Sequence, residues 1–96
     1  MPTYVVLYRF TDQGARDIKS TLQRARESRA ENERRGFKVH GLYWTMGQYD
    51  MVAVVEAPDE QGMLAGLFNI AGAGNVRSET LRAFTEAEME AIIRRM

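Results

Sequence analysis

The chemistry-bearing side chains of this 96-residue chain gather around one connection, Tyr43-Trp44-Thr45-Met46-Gly47-Gln48-Tyr49-Asp50. Tyr43, Trp44 and Tyr49 can stack on a ligand or hydrogen-bond to it, and Asp50 is the carboxylate beside them. A desolvated cleft would suit Asp50 to general acid–base work. As a turn residue it would instead accept backbone N–H groups from the Gly47 to Tyr49 connection. Arg77 and Glu79 form a second constellation, two residues apart and so on one side of a strand. Either they are an exposed ion pair of small energetic value, or Arg77 anchors an anionic group that Glu79 or Asp50 orients. In the second case Tyr4, Tyr8, Tyr43 and Trp44 are the walls.

His40 is the single histidine and there is no cysteine. Disulfides, thiolate metal sites and a Cys nucleophile are thereby excluded. A metal would require Asp50, Glu56 and Glu79 to converge on His40, and no spacing motif supports that. No metal or other cofactor is expected, haem on His40 included. Ser20, Ser28 and Ser78 lie outside any Gly-x-Ser-x-Gly elbow. Gly72-Ala73-Gly74-Asn75 follows a helix and precedes a strand, the reverse of the order that aims N–H groups at a phosphate. Thirteen basic and thirteen acidic residues cancel, so no global field draws the chain to nucleic acid or an anionic membrane. The apolar run Tyr4–Tyr8 ends at Arg9, far short of a span, and no basic segment precedes it. The expected location is the cytoplasm.

The elements that must position these residues follow from periodicity. Thr3 to Thr11 reads as a strand, apolar at both parities from Tyr4 through Tyr8. Thr11 or Asp12 then caps a long helix that ends at Gly36, with Ala15, Ile18, Leu22 and Ala25 as its apolar stripe. Beyond Ala25 almost nothing apolar remains, which predicts a solvated helix end laced by pairs such as Glu31 and Arg35. Phe37 to Met46 and Asp50 to Ala57 read as a hairpin through Gly47. A helix after Pro58-Asp59 carries Met63, Leu64, Leu67, Phe68 and Ile70, with Gly62 and Gly66 suggesting a close backbone contact. Asn75 to Phe84 is a fourth strand. Thr85 and Glu88 form a capping box opening a last short helix.

The order β-α-β-β-α-β with an added C-terminal helix predicts an α+β, ferredoxin-like antiparallel sheet with its crossover helices on one face. A solvated second face would alternate with polar residues, yet Tyr4–Tyr8 and Met51–Val55 do not. A second copy covering that face is therefore expected: a homodimer, with a higher oligomer left open.

Several blocks in order also resemble the GYD-domain family, whose pattern stands here as Gly47-Gln48-Tyr49-Asp50. They are Met1–Leu7, Thr11–Gly14, Tyr43–Thr45, Val52–Asp59 and Asn75–Phe84. The resemblance implies the dimeric α+β barrel group of ferredoxin-like proteins and assigns no catalytic residue.

These readings converge on residues 1–96 as one domain, a homodimer whose cleft between sheet and helices takes a small anionic or aromatic molecule. Arg77 is the expected anchor and Tyr43, Trp44 and Tyr49 the walls. One alternative is a cofactor-free monooxygenase or isomerase using Asp50 or His40. Another is a structural or regulatory assembly module built on the aromatic turn and the charged helix end.

Overall fold

The computed structural model describes residues 1–96. Strands β1 (Thr3–Phe10), β2 (Lys38–Trp44), β3 (Met51–Glu56) and β4 (Val76–Ala83) form one antiparallel sheet in the order β2-β3-β1-β4. Val6 of β1 sits opposite Ala53 of β3 and Thr80 of β4. With a side-chain period of two, Tyr4, Val6, Tyr8, Met51, Ala53 and Val55 therefore share one face. That face carries the core of Tyr4, Val6, Phe37, Ala53, Val55, Ala57 and Met63. Register shifts between Val39 and Gly41, which makes His40 an extra residue in β2. The bulge lets Val39 and Leu42, of opposite parity, both point to the core side.

The single helix expected from Asp12 to Gly36 is interrupted. Helix α1 covers Asp12–Arg16, a 3-10 turn covers Ile18–Ser20, and α2 covers Thr21–Arg34. The break falls at Asp17, whose backbone leaves helical geometry (φ −104°, ψ 38°). Its carbonyl accepts the Ser20 N–H of the 3-10 turn at 3.1 Å and, as a second donor, the Arg24 guanidinium at 2.8 Å. The expected stripe also misses the core: Ile18 and Leu22 are 43% and 45% exposed, and α2 has no buried residue. The solvated helix end is as expected, with Arg35 Nε on Glu31 at 2.9 Å and Gly36 at φ 90° ending the chain reversal.

Helix α3 (Glu60–Gly72) starts where the Asp59 carboxylate accepts the Gly62 N–H at 2.6 Å. Met63 and Gly66 are its buried residues. Helix α4 (Glu86–Arg94) opens on the expected capping box, with the Thr85 N–H donating to Glu88 at 2.9 Å and the Glu88 N–H donating to Thr85 at 3.2 Å. It stands away from the other elements, and the radius of gyration is 14.4 Å, against about 12.5 Å for a compact chain of this length. No helix is long and apolar enough to cross a membrane.

The corner between β1 and α1 is tied to the start of β4. The Thr11 N–H donates to the Asn75 carbonyl at 3.0 Å, and the Thr11 hydroxyl donates to the Gly74 carbonyl. At Gly14 the two backbones approach so closely that a Cβ would lie 2.1 Å from the Asn75 oxygen. Gly14→Ala is therefore expected to lower stability by about 1–3 kcal/mol. Gly72→Ala, with nothing within 4 Å of the added Cβ, should be neutral or stabilising. Urea denaturation of the two variants checks the contrast.

Candidate functional site

The Gly47–Asp50 turn is a clasp across the end of the sheet. Gly47 takes φ 108°, a conformation that favours glycine. The Thr45 N–H donates to the Asp50 carbonyl at 2.9 Å, and the Thr45 hydroxyl donates to the Tyr49 carbonyl at 2.6 Å. The Asp50 carboxylate does not serve the turn amides. It accepts the Phe10 N–H at 2.8 Å while the Asp50 N–H donates to the Tyr8 carbonyl at 2.8 Å. Asp50 thus continues the β1–β3 ladder beyond the last strand pair with a charge-assisted bond.

Tyr49 carries the clasp further, across β1 to β4. Its hydroxyl donates to the Glu79 carboxylate at 2.6 Å. That bond, with a smaller contribution from desolvation, raises the Tyr49 phenol above its ordinary pKa. The Arg9 guanidinium lies 4.5 Å from the Tyr49 ring centre, and Arg9 Nε donates to the Gln48 carbonyl at 3.0 Å. Arg9 is directly opposite Arg77 in the β1–β4 register. Two like charges there repel, and the Tyr49 ring and the nearby Glu79 carboxylate offset them.

The remaining residues singled out from sequence do not join one cleft. Strands β2 and β4 are opposite edges of the sheet, which separates Tyr43 and Trp44 from Arg77. Arg77 donates to the carbonyls of Ala71 and Val76 at 3.3 and 3.2 Å, a cation at the C-terminal end of α3 where the helix dipole favours one. Tyr43 is 60% exposed, its ring laid over Gly41 so that a Cβ there would come within 2.7 Å of it. Trp44 faces the helix side, its indole N–H donating to the Thr21 hydroxyl at 3.1 Å. His40 Nε2 meets Glu56 at 2.7 Å. No three His, Asp or Glu residues are grouped so as to hold a metal ion.

The concave site lies elsewhere, in a cavity of about 500 Å³ between the sheet and helices α2 and α3. Tyr8, Phe10, Leu42, Met51, Ala53 and Val55 form its floor. Ala25, Ser28 and Asn32 line it from α2, Gly66 and Asn69 from α3, and Ala73 from just past the end of α3. These residues recur at helical spacing, facing the sheet, and all are too small or too polar to fill the space above an apolar floor. Burial pushes the Tyr8 phenol up to about 12, so it is a neutral donor at physiological pH. Arg24 also lines the cavity, with its Nη2 buried and without an acceptor. Of the walls expected from sequence only Tyr8 is here. The legible signal was the Ala25, Ser28, Asn32 spacing, a helix face with nothing large to bury.

The topology defines an α+β protein with a ferredoxin-like four-stranded antiparallel sheet. A family model for the GYD domain matches residues 4–93, and the chain belongs to the GYD-domain family. It is 37% identical over 90 residues to a protein of Thermus thermophilus named as a glutamine synthetase and cystathionine beta-lyase binding protein, covering 93% of this chain and 95% of that one. The crystal structure of MtbAldR is similar in fold, with a TM-score of 0.68 at 17% identity. The match takes in 88% of this chain, which spans about half (52%) of that structure.

Removing the Asp50 carboxylate leaves the Phe10 N–H without its partner, so Asp50→Ala is expected to cost about 1–3 kcal/mol, read by chemical denaturation. For Tyr8 the folded pKa of about 12 lies above the ordinary 10.0, so the fold favours the neutral phenol. That contribution is complete below pH 10 and is lost as pH rises toward 12. The wild-type melting temperature should fall across this window more steeply than that of Tyr8→Phe.

Proposed function

We propose that this GYD-domain protein is a homodimeric binding protein, residues 1–96 acting as one domain, whose cavity between the sheet and helices α2 and α3 takes a small molecule. The observation that carries the reading is the cavity itself. Its volume of about 500 Å³ falls within the range of roughly 300–1,000 Å³ typical of small-molecule sites, and an apolar floor with a few polar wall groups is the usual composition of such sites. The enzymatic alternative draws less support, because Asp50 and His40, its acid–base candidates, are absent from the cavity lining.

The dimer is supported by the other face of the sheet. Val5, Leu7, Val52, Val54 and Leu81 share it by register, and no helix of the chain lies over them. Only 10 of the 96 residues are buried, so pairing two such faces adds the apolar burial that one copy lacks. A protein-partner reading is favoured by one specific finding, the relative named for binding glutamine synthetase and cystathionine beta-lyase. It is compatible with a small-molecule cavity that tunes such an association. Co-elution of this chain with purified glutamine synthetase on a sizing column tests it, and separate elution at micromolar concentrations counts against it.

Native mass spectrometry of gently purified protein tests the main reading. The expected result is the mass of a dimer plus an excess that is lost on denaturation. Val54→Lys, which places a charge in the middle of the bare face, should weaken the dimer at least tenfold while circular dichroism stays folded. A wild-type monomer at micromolar concentration overturns the dimer.

A further inference from the structure

The walls of the cavity narrow what fits it, an inference that rests on the small-molecule reading above. Because the floor is apolar, most of an occupant's surface must be hydrocarbon or aromatic. Every guanidinium around it already meets a carboxylate, and with one exception none has a buried nitrogen left without an acceptor. Arg34 and Arg35 hold Glu31 at 2.5 and 2.9 Å. Arg29 holds Glu33 at 3.2 Å and the Val39 carbonyl at 3.1 Å. Glu27, the one carboxylate of the lining without a cation, accepts the neutral Gln23 amide at 3.2 Å. Arg24 is the exception: Nη1 reaches the Asp17 carbonyl at 2.8 Å and the Asp17 carboxylate at 3.2 Å, but Nη2 is buried with no acceptor at all. A guanidinium edge shut off from water without a partner is costly, and an acceptor brought in by a ligand relieves that cost.

We propose that the cavity takes an amphipathic monocarboxylate, an aryl or medium-chain alkyl acid, whose carboxylate meets the Arg24 guanidinium and whose apolar body lies on the floor around Tyr8 and Met51. One guanidinium edge without an acceptor matches one carboxylate, and the Glu27 carboxylate in the same lining disfavours a dianion such as phosphate. Arg24 Nη2 is covered in the ligand-free chain, so binding includes a swing of the guanidinium toward the cavity that its other atoms already line. Asp17 opposes that swing. Its carboxylate, 65% exposed, holds the other terminal nitrogen and competes with the ligand for the same cation. Loss of the Asp17 charge therefore strengthens binding, while loss of the Arg24 charge weakens it.

The test is a titration of the full-length protein with phenylacetate, indole-3-acetate and octanoate and with their neutral amides, followed by amide NMR shifts. Acids should shift residues of β3, α2 and α3 around the cavity and bind at least tenfold more tightly than their amides. Arg24→Gln should erase that preference, Arg24→Lys should keep part of it, and Asp17→Asn should raise acid affinity severalfold. Should Arg24→Gln fail to fold, Asp17→Asn still carries the readout. Acids and amides binding the cavity equally well in the wild type overturn the carboxylate assignment and leave the cavity reading standing. Failure of every acid and every amide to shift cavity residues overturns both.

Discussion

A sheet whose two central strands are largely apolar on both faces, in a chain whose helices cannot cover both, is the constraint from which the rest of the molecule follows. On one face Tyr4, Val6, Ala53 and Val55 are buried because α3 brings Met63 against them and the chain entering β2 brings Phe37. Toward β2 the same face lies beneath α2, which has no buried residue to offer, and the space left over is the cavity. The other face is covered by no helix at all, and a second copy supplies the missing apolar surface in the reading advanced here. Cavity and uncovered sheet face are thus two outcomes of one shortage of apolar helix surface.

The Gly-x-Tyr-Asp turn contributes to this arrangement by fixing the sheet rather than by lining a pocket. Asp50 ties the β2–β3 turn to β1, and Tyr49 ties it to β4 through Glu79. A single connection therefore links all four strands at one end. At that same corner the Thr11, Gly14 and Asn75 backbones meet, so the floor of the cavity at Tyr8 and Phe10 rests between two rigid attachments. Preorganisation of this kind lowers what a ligand must spend on ordering its site.

Strand identity, the hairpin, the capping box and the fold class were legible because runs of β-branched and aromatic residues, Gly47 and the Thr85–Glu88 spacing are local signals. The break at Asp17 was not. There the Asp17 carbonyl accepts both the Ser20 N–H and the guanidinium of Arg24, seven residues ahead, a contact that helical periodicity does not encode. The expected site residues do not gather in one place for a related reason. Arg77, Glu79, Tyr43 and Trp44 attract attention by residue type, but the order β2-β3-β1-β4 sends them to opposite edges, and strand order is not written in any one segment. The charged, sparsely apolar stretch after Ala25 was read correctly as a helix with little to bury. Its consequence, an unfilled volume above the sheet, became visible only once Leu42, Met51 and Val55 were placed beneath it.

The central claim is that the space under α2 is left open for a ligand, and filling it with protein tests that claim most directly. Ser28→Leu places an isobutyl group over the floor, with Ser28→Ala as the control for helix propensity. The account predicts that Ser28→Leu melts at a higher temperature than Ser28→Ala and no longer retains small-molecule mass in its native spectrum. A leucine variant that is no more stable than the alanine control and keeps its full complement of bound mass would contradict it.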